Sequence, residues 1–273
     1  MKKFLFLFLF ISLTYYSFSD QFNLEADTKT VSLHFDSINL NTTINFQNND
    51  VVMSKINSYL TKDKKLLSKM LSLSKYYFPI FESYLDKYNL PFELKYLAIV
   101  ESSLNTLARS KSGARGLWQF MYPTGKAYDL NVNSYIDERL DPHKSTEAAC
   151  KYFLKLYDIF GDWNLVLAAY NGGPGYIQRI MLKTGHDNFW DLRPLLRTET
   201  RNYVPKFIAI TYLMQYHGIY NIYSDTNEIR LLNTDTITID FQLNTTILSE
   251  ITCINSEDLR YYNPSYKDDI YPI

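Results

Sequence analysis

From residue 79 to residue 218 the chain is written as one helical segment after another, each with its own stop signal, and nothing there alternates strand with helix. Asp141-Pro142 opens an apolar-periodic run over residues 143–160 that stops at Gly161. Asp162 caps the next segment, DWNLVLAAY, which ends at Asn171-Gly172-Gly173. Residues 174–183 form a short helix closed near Gly185. Thr198 caps ETRNYVPKFIAITYLMQY, which ends by Gly218 and which Pro205 is expected to kink. Upstream, residues 62–77 (Leu66, Leu67, Met70, Leu73) and 79–88 (Ile80, Tyr84, Leu85, Tyr88) read as two helices, the second opened by Pro79 in its first turn. The punctuation excludes a parallel α/β sheet and predicts a mainly α fold.

Flanking this stretch the text changes. Lys2 and Lys3, the apolar run of residues 4–13 and Ser17-Phe18-Ser19 form a secretory signal over residues 1–19, which predicts export to the periplasm or cell envelope. An uncleaved anchor that holds the domain at the membrane is the other reading of the same residues, because Tyr15, Tyr16 and Phe18 crowd the cleavage region. Residues 20–50, rich in Asn, Asp, Thr and Ser, read as a flexible arm, and the main domain is expected over residues 51–218. Residues 219–273 are a linker and a small unit: β-prone runs in residues 227–242, then two short helices with a polar joint at Asn255 and Ser256.

A formal net charge of −1 gives no global reason to expect nucleic acid, no long basic run appears later in the chain, and the four histidines fall in no paired, metal-ligating spacing. No metal and no cofactor are implied, and a monomer is expected. Cys150 lies in a helical run and is expected in the core; whether it pairs with Cys253 is left open by the sequence.

Within the helical stretch one residue stands out. Leu94, Leu97, Ala98 and Leu104 share a stripe at helical spacing, and Glu101 falls in the middle of it. A carboxylate there either has a partner, such as Arg115, or keeps its proton because burial raises its pKa, which is the condition for donating a proton near neutral pH. Spacing alone does not choose between them.

The surrounding residues do. The run ESS…SKSGARGLWQFM…TG, followed in order by DERLDP, FGDWNLVLAAYNGGPG and ETRNYV, resembles the catalytic core of the lytic transglycosylases that share a fold with goose-type lysozyme, most closely their membrane-bound D-type branch. The resemblance covers roughly residues 76–217. It implies a lysozyme-like helical catalytic domain that acts on peptidoglycan glycan strands. Position by position, Glu101 matches the single catalytic acid. Ser102 beside it and Ser110 match substrate-side positions, and Gly116, Leu117, Trp118 and Gln119 match a turn lining the sugar groove, with Trp118 and Met121 as walls. Tyr170 and Asn171 match the motif facing the acid, and Tyr203 matches a tyrosine near it. One departure is visible: the family commonly has proline after the asparagine that follows the acid, and here Asn105 is followed by Thr106.

A glycosidase ordinarily needs two carboxylates. Asp137, Glu138 and Asp141 read as capping or ion-pair residues, Asp162 as a helix cap and Glu199 as a first-turn residue favoured by the helix dipole. The resemblance implies instead that the substrate supplies the nucleophile, leaving 1,6-anhydro ends on N-acetylmuramic acid. A water-using hydrolase of the same fold and a non-catalytic peptidoglycan-binding protein are the rival classes. ILSEITCINSEDLRYYNP is similar to the helical part of a LysM module, a small βααβ glycan-binding fold, or to a degenerate version of one.

Overall fold

The computed structural model describes residues 25–225 and 235–272. The expected signal at residues 1–19 and much of the β-prone stretch at 227–242 lie outside the described residues.

The chain folds around a buried helix, α10 (Thr198–Gln215), apolar on nearly every side: Tyr203, Val204, Phe207, Ile208, Ala209, Ile210, Tyr212 and Leu213 are all buried. Its neighbours are α2 (Asp50–Lys62) and α7 (Trp163–Gly172). α7 in turn packs on α6 (Pro142–Phe160) and α8 (Pro174–Thr184), and α6 packs on α3 (Lys64–Lys87). The caps expected from sequence for α6, α7 and the end of α8 are present. Asp141 accepts from the amides of His143 and Lys144, Pro142 takes the first position of α6, and Gly161 ends the helix in the left-handed region. Asp162 accepts from the amide of Leu165 to start α7, and Gly185 closes α8. Thr198 is the first residue of α10 and Arg197 precedes it as the cap position, so the helix begins one residue before the expected start.

Two expectations fail. Residues 62–77 and 79–88 are one helix, α3, running through Pro79. A proline inside a helix costs about 3 kcal/mol. Tyr77, Phe81 and Leu85 on the same face are buried, each contributing roughly 1.5–3 kcal/mol, and this exceeds the cost. Nor are residues 20–50 an arm where they are described. Asp27 caps α1 (Thr28–Asn39), and Val31, Phe35 and Ile38 form a buried stripe on it. Phe35 meets Tyr212 edge-on at 5.4 Å, and Phe46 stacks on Phe207 at 6.1 Å. The polar residues that suggested a tether bond backbone instead: the Asn39 side chain donates to the carbonyl of Phe46 and accepts from its amide, both at 2.9 Å.

Cys150 is buried in α6 and Cys253 is exposed, and both are free thiols.

The C-terminal unit has the order β1 (Leu243–Asn244), α11 (Thr245–Thr252), α12 (Ser256–Tyr262), β2 (Ile270–Tyr271). The two strands pair antiparallel with Leu243 opposite Tyr271. Residues 235–242, part of the β-prone run, form no strand; pairing starts only at Leu243, where Tyr271 is available as a partner. Leu243, Leu248, Leu259 and Tyr271 make a small core of its own.

Candidate active site

A 3₁₀ turn, Phe92–Tyr96, feeds α4 (Leu97–Ser102), whose inner face buries Leu97, Ala98 and Ile99. Glu101 sits in its last turn, half-buried. Two consecutive left-handed residues, Ser103 (φ 52°) and Leu104 (φ 60°), then turn the chain away from the helix. Ser103 closes α4, its backbone amide donating a hydrogen bond of 2.8 Å to the carbonyl of Ile99.

The hydroxyl of Tyr203 donates to Oε1 of Glu101. The alternative partner, Arg115, lies elsewhere, 3.6 Å from Asp137, and no ion pair to Glu101 is found among the described residues. Desolvation pushes the Glu101 carboxyl up to about 7 from its ordinary 4.5. The Tyr203 hydrogen bond and Lys206 pull it down, and the negative charge of Glu199 pushes it further up. Burial and the neighbouring Glu101 charge also push the phenols of Tyr170 and Tyr203 well above their usual value, so both remain hydrogen-bond donors.

Residues 108–120 form a tight hairpin beside the acid. Arg115 and Phe120 exchange two backbone hydrogen bonds at 3.1 Å, and the amide of Gly116 donates to the carbonyl of Ala108 at 3.0 Å. Gly116 has φ +81°, and a Cβ there would lie 1.9 Å from the carbonyl oxygen of Arg139, so only glycine fits. Ser110 closes the loop end, its hydroxyl accepting from the Ala114 amide at 3.0 Å. Gln119 (φ 50°) turns inward and donates to the carbonyls of Gly116 at 2.9 Å and Ala108 at 3.2 Å.

Two expected substrate-side residues hold this turn in place. The Ser102 hydroxyl lies 2.9 Å from the carbonyls of both Ala98 and Leu117, sharing its one proton between them and tying α4 to the turn. Tyr170 donates to the carbonyl of Trp118 at 2.7 Å, tying the turn to α7.

Trp118 is not a groove wall. Its indole is fully buried, 5.0 Å from the Phe81 ring and 5.8 Å from Phe153, with Nε1 donating to Thr146 at 3.0 Å. Leu117 is equally buried. Their contribution to the site surface is backbone only, because both side chains are buried in the core. Met121 is 41% exposed and remains available as a wall.

The other carboxylates are largely committed. Asp137 is buried and bonded to Arg139 through both oxygens, at 2.9 and 2.8 Å. Glu138 takes Lys144 at 2.5 Å, and Asp141 and Asp162 cap helices. Glu199, read from the sequence as a first-turn residue, stands in the first turn of α10, and its electrostatic reach to Glu101 is what the sequence reading did not give. It is exposed, 3.4 Å from Nδ2 of Asn171, whose Oδ1 accepts from Thr200 at 2.9 Å, and its charge acts on Glu101. The signal was present: Glu199, Tyr203 and Lys206 stand at i, i+4 and i+7, hence on one face of α10.

These influences set a pH dependence. A general acid at Glu101 would have to be protonated, so activity that depends on it is expected to fall as pH rises through about 7. Tyr203→Phe removes a bond to the ionised form and should move that falling limb to higher pH; Glu199→Gln removes a repulsive charge and should move it to lower pH. Rate profiles of the three proteins on purified peptidoglycan read both shifts. Two shifts of the same sign would contradict this arrangement.

Comparison with known proteins places this geometry. A family model described as Transglycosylase SLT domain matches residues 79–192. Membrane-bound lytic murein transglycosylase D of Escherichia coli (strain K12) is 33% identical over 186 residues, 66% of this chain and 40% of that protein. The chain thus spans about two fifths of the length of that relative. A putative tributyltin chloride resistance protein of Alteromonas sp. (strain M-1) is 37% identical over 95 residues, 34% of this chain and 46% of that protein. Among solved structures, the 70 kDa soluble lytic transglycosylase SLT70 of Escherichia coli aligns with a TM-score of 0.47 at 20% identity, covering 76% of this chain and 33% of that one. The acid on α4, the glycine-bearing turn tied to it and the Tyr170-Asn171 segment all fall inside the span of the family model: residues 79–192 form a Transglycosylase SLT domain, and the chain around them is similar in sequence to the membrane-bound D-type lytic murein transglycosylase.

Proposed function

We propose that this chain cleaves the β-1,4 bond between N-acetylmuramic acid and N-acetylglucosamine in peptidoglycan without consuming water. The observation that carries the reading is the half-buried Glu101, its carboxyl raised to about 7, while Asp137, Glu138, Asp141 and Asp162 are engaged in ion pairs and caps. Protonated Glu101 gives its proton to the bridging oxygen as the C1–O bond breaks. The resulting carboxylate takes the proton of the C6 hydroxyl of the same sugar as that oxygen closes onto C1. An intramolecular nucleophile avoids the entropic cost of recruiting a second reactant. Tyr203 steadies the carboxylate between the two transfers. Ser110, Gly116, Gln119, Met121 and Asn171 form the sugar-facing surface, and Ser102 and Tyr170 keep its backbone in place.

The proposed setting is the cell envelope, following the signal read at residues 1–19. No helix among the described residues is long and apolar enough to cross a membrane.

The product tests the reaction. Muropeptides released from purified peptidoglycan should carry anhydro ends, one water lighter than hydrolytic products and inert to borohydride. Mass spectrometry before and after reduction reads this directly. Reducible ends would identify a hydrolase, with Glu199 as the carboxylate placed to activate water. Intact peptidoglycan beside active controls would identify a binding protein.

A further inference from the structure

Residues 132–137 fold back on themselves just before Arg139. The amide of Asn133 donates to the carbonyl of Ile136 at 2.9 Å, Val132 bridges to Asp137, and the Asn133 side chain accepts from the amides of Tyr135 and Ile136 at 2.8 Å. One edge of this small loop takes a further strand, and the C-terminal unit supplies it. Ile136 and Tyr266 form an antiparallel bridge, the amide of Asp137 donates to the carbonyl of Ser265 at 2.8 Å, and the amide of Lys267 donates to the carbonyl of Tyr135 at 2.8 Å. The Lys267 ammonium donates to the carbonyl of Asn133 as well. A second attachment is to α3, where Tyr262 of α12 meets Tyr76 edge-on at 5.6 Å.

What Asp137 carries makes this pairing matter. The residue is 1% exposed and extended (φ −135°), and the partner of its buried amide lies in the C-terminal unit. A buried amide needs such a partner. The carboxylate of Asp137 takes Arg139 through both oxygens, and Arg139 donates onward to the carbonyls of Gly113 at 3.1 Å and Phe120 at 3.3 Å. The backbone carbonyl of Arg139 lies against Gly116 in the same hairpin. A continuous path of hydrogen bonds therefore runs from Ser265 through Asp137 and Arg139 to both ends of the turn that holds Gly116 and Gln119.

We propose that residues 265–267 of the C-terminal unit are a positioning strand for the hairpin of the sugar groove, acting through Asp137 and Arg139. The strand touches no sugar and no reacting atom. It sets the backbone of Asp137, the carboxylate of Asp137 sets the guanidinium of Arg139, and the guanidinium sets the turn. This path does not run through the Glu101 carboxyl, so the unit governs how the glycan is held and not the protonation of the acid. The inference rests on the lytic reading for the hairpin's contact with glycan, while the coupling of strand to hairpin stands apart from it.

The test uses the full-length chain. Lys267→Pro removes the amide that donates to Tyr135, and Lys267→Arg keeps both the amide and a cationic donor. Amide hydrogen exchange at residues 113–120 and 135–137 should accelerate about five- to tenfold in Lys267→Pro, as for one lost hydrogen bond, and stay at the wild-type rate in Lys267→Arg. Exchange in the core helix α6 should not change in either. On soluble glycan fragments Lys267→Pro should raise KM by about three- to tenfold, with kcat and the falling pH limb near 7 unmoved. A second variant separates a shifted strand from an unfolded unit: Ile136→Cys/Tyr266→Cys in a Cys253→Ser background. These two positions form the non-hydrogen-bonded pair of the bridge, where a Cα separation of about 4.5 Å suits a disulfide. Oxidised, this variant should match wild type in KM and in hairpin exchange; reduced, it should move towards Lys267→Pro. Faster exchange at 135–137 with none at 113–120, a rise spread equally over α6, a KM change confined to insoluble peptidoglycan, or a disulfide that does not form would each overturn the proposal. If the wild-type protein releases nothing from peptidoglycan, the lytic reading fails, and the exchange pattern and the disulfide still decide this inference.

Discussion

Glu101→Gln should lower lytic activity by about 10²–10⁴-fold, the usual contribution of a general acid or base, and towards the upper end because in the proposed reaction one group serves both transfers. The same variant should be no less stable than wild type, and at pH 8 more stable. The carbonyl of the new amide still accepts from Tyr203, and nothing charged is left buried. The sign follows from linkage. The carboxyl is raised in the folded state, from 4.5 to about 7, so the folded protein holds a proton that the unfolded chain gives up. Its favourable contribution is complete below pH 4.5 and is lost as pH rises through 7. Glutamine does not titrate. The stability difference between variant and wild type therefore opens across that window, up to about 3 kcal/mol at roughly 1.4 kcal/mol per pH unit. Thermal melts of both proteins at pH 4, 6 and 8, with peptidoglycan release measured at pH 6, check both halves. A variant that melts well below wild type at pH 8 would mean that the Glu101 charge is structural.

The second large effect is on stability and falls at Asp137. Its side chain is 2% exposed and that of Arg139 6%, and their two-point contact is backed by Arg115 at 3.6 Å. Removing one partner of such a pair leaves a buried guanidinium uncompensated, which costs about 3–5 kcal/mol. Asp137→Ala should therefore lower the melting temperature by on the order of 10 °C. Activity should fall with it, because Arg139 fastens the hairpin at Gly113 and Phe120 and its carbonyl lies under Gly116. Desolvation opposes ionisation of Asp137, but the Arg139 contacts outweigh it and hold the carboxyl below its ordinary value. The pair's contribution is thus present above the unfolded pKa and lost as pH falls through the folded one. Melts of Asp137→Ala and wild type should differ widely at pH 7, and the gap should narrow as the pH is taken progressively below 3.8. A gap that never narrows in acid would show that the pair's charge contributes nothing.

Much of the site was legible before the structure. Glu101 on an apolar stripe, the SGARGLWQF turn, AAYN and ETRNYV are local patterns, and the structure brings them together around one carboxyl: Tyr203 bonds it, Tyr170 and Ser102 bond the turn beside it, and Asn171 meets Glu199 on the neighbouring helix. What the motifs did not disclose is which atoms face outwards. Trp118, expected as a wall, is in the core, and Gln119 spends its amide donors on its own hairpin. Side-chain direction in a tight turn depends on which neighbour offers a cavity, and for Trp118 that neighbour is Phe81, 37 positions earlier.

Helix ends were determined by the sequence alone, because a cap or a left-handed glycine acts within one turn: Asp141, Asp162, Gly161 and Gly185 do what their types dictate wherever the rest of the chain lies. The tertiary structure alone decided that α3 continues through Pro79, that residues 28–46 join the core and that the C-terminal unit is bonded to residues 135–137. Each of these is a balance between a local penalty and apolar or hydrogen-bonding partners brought from distant parts of the chain. The raised carboxyl of Glu101 belongs to the same class. Its residue type and place on the stripe are in the sequence, but its burial, and the opposing hydrogen bond from Tyr203, 102 residues away, exist only because the fold brings those groups to it.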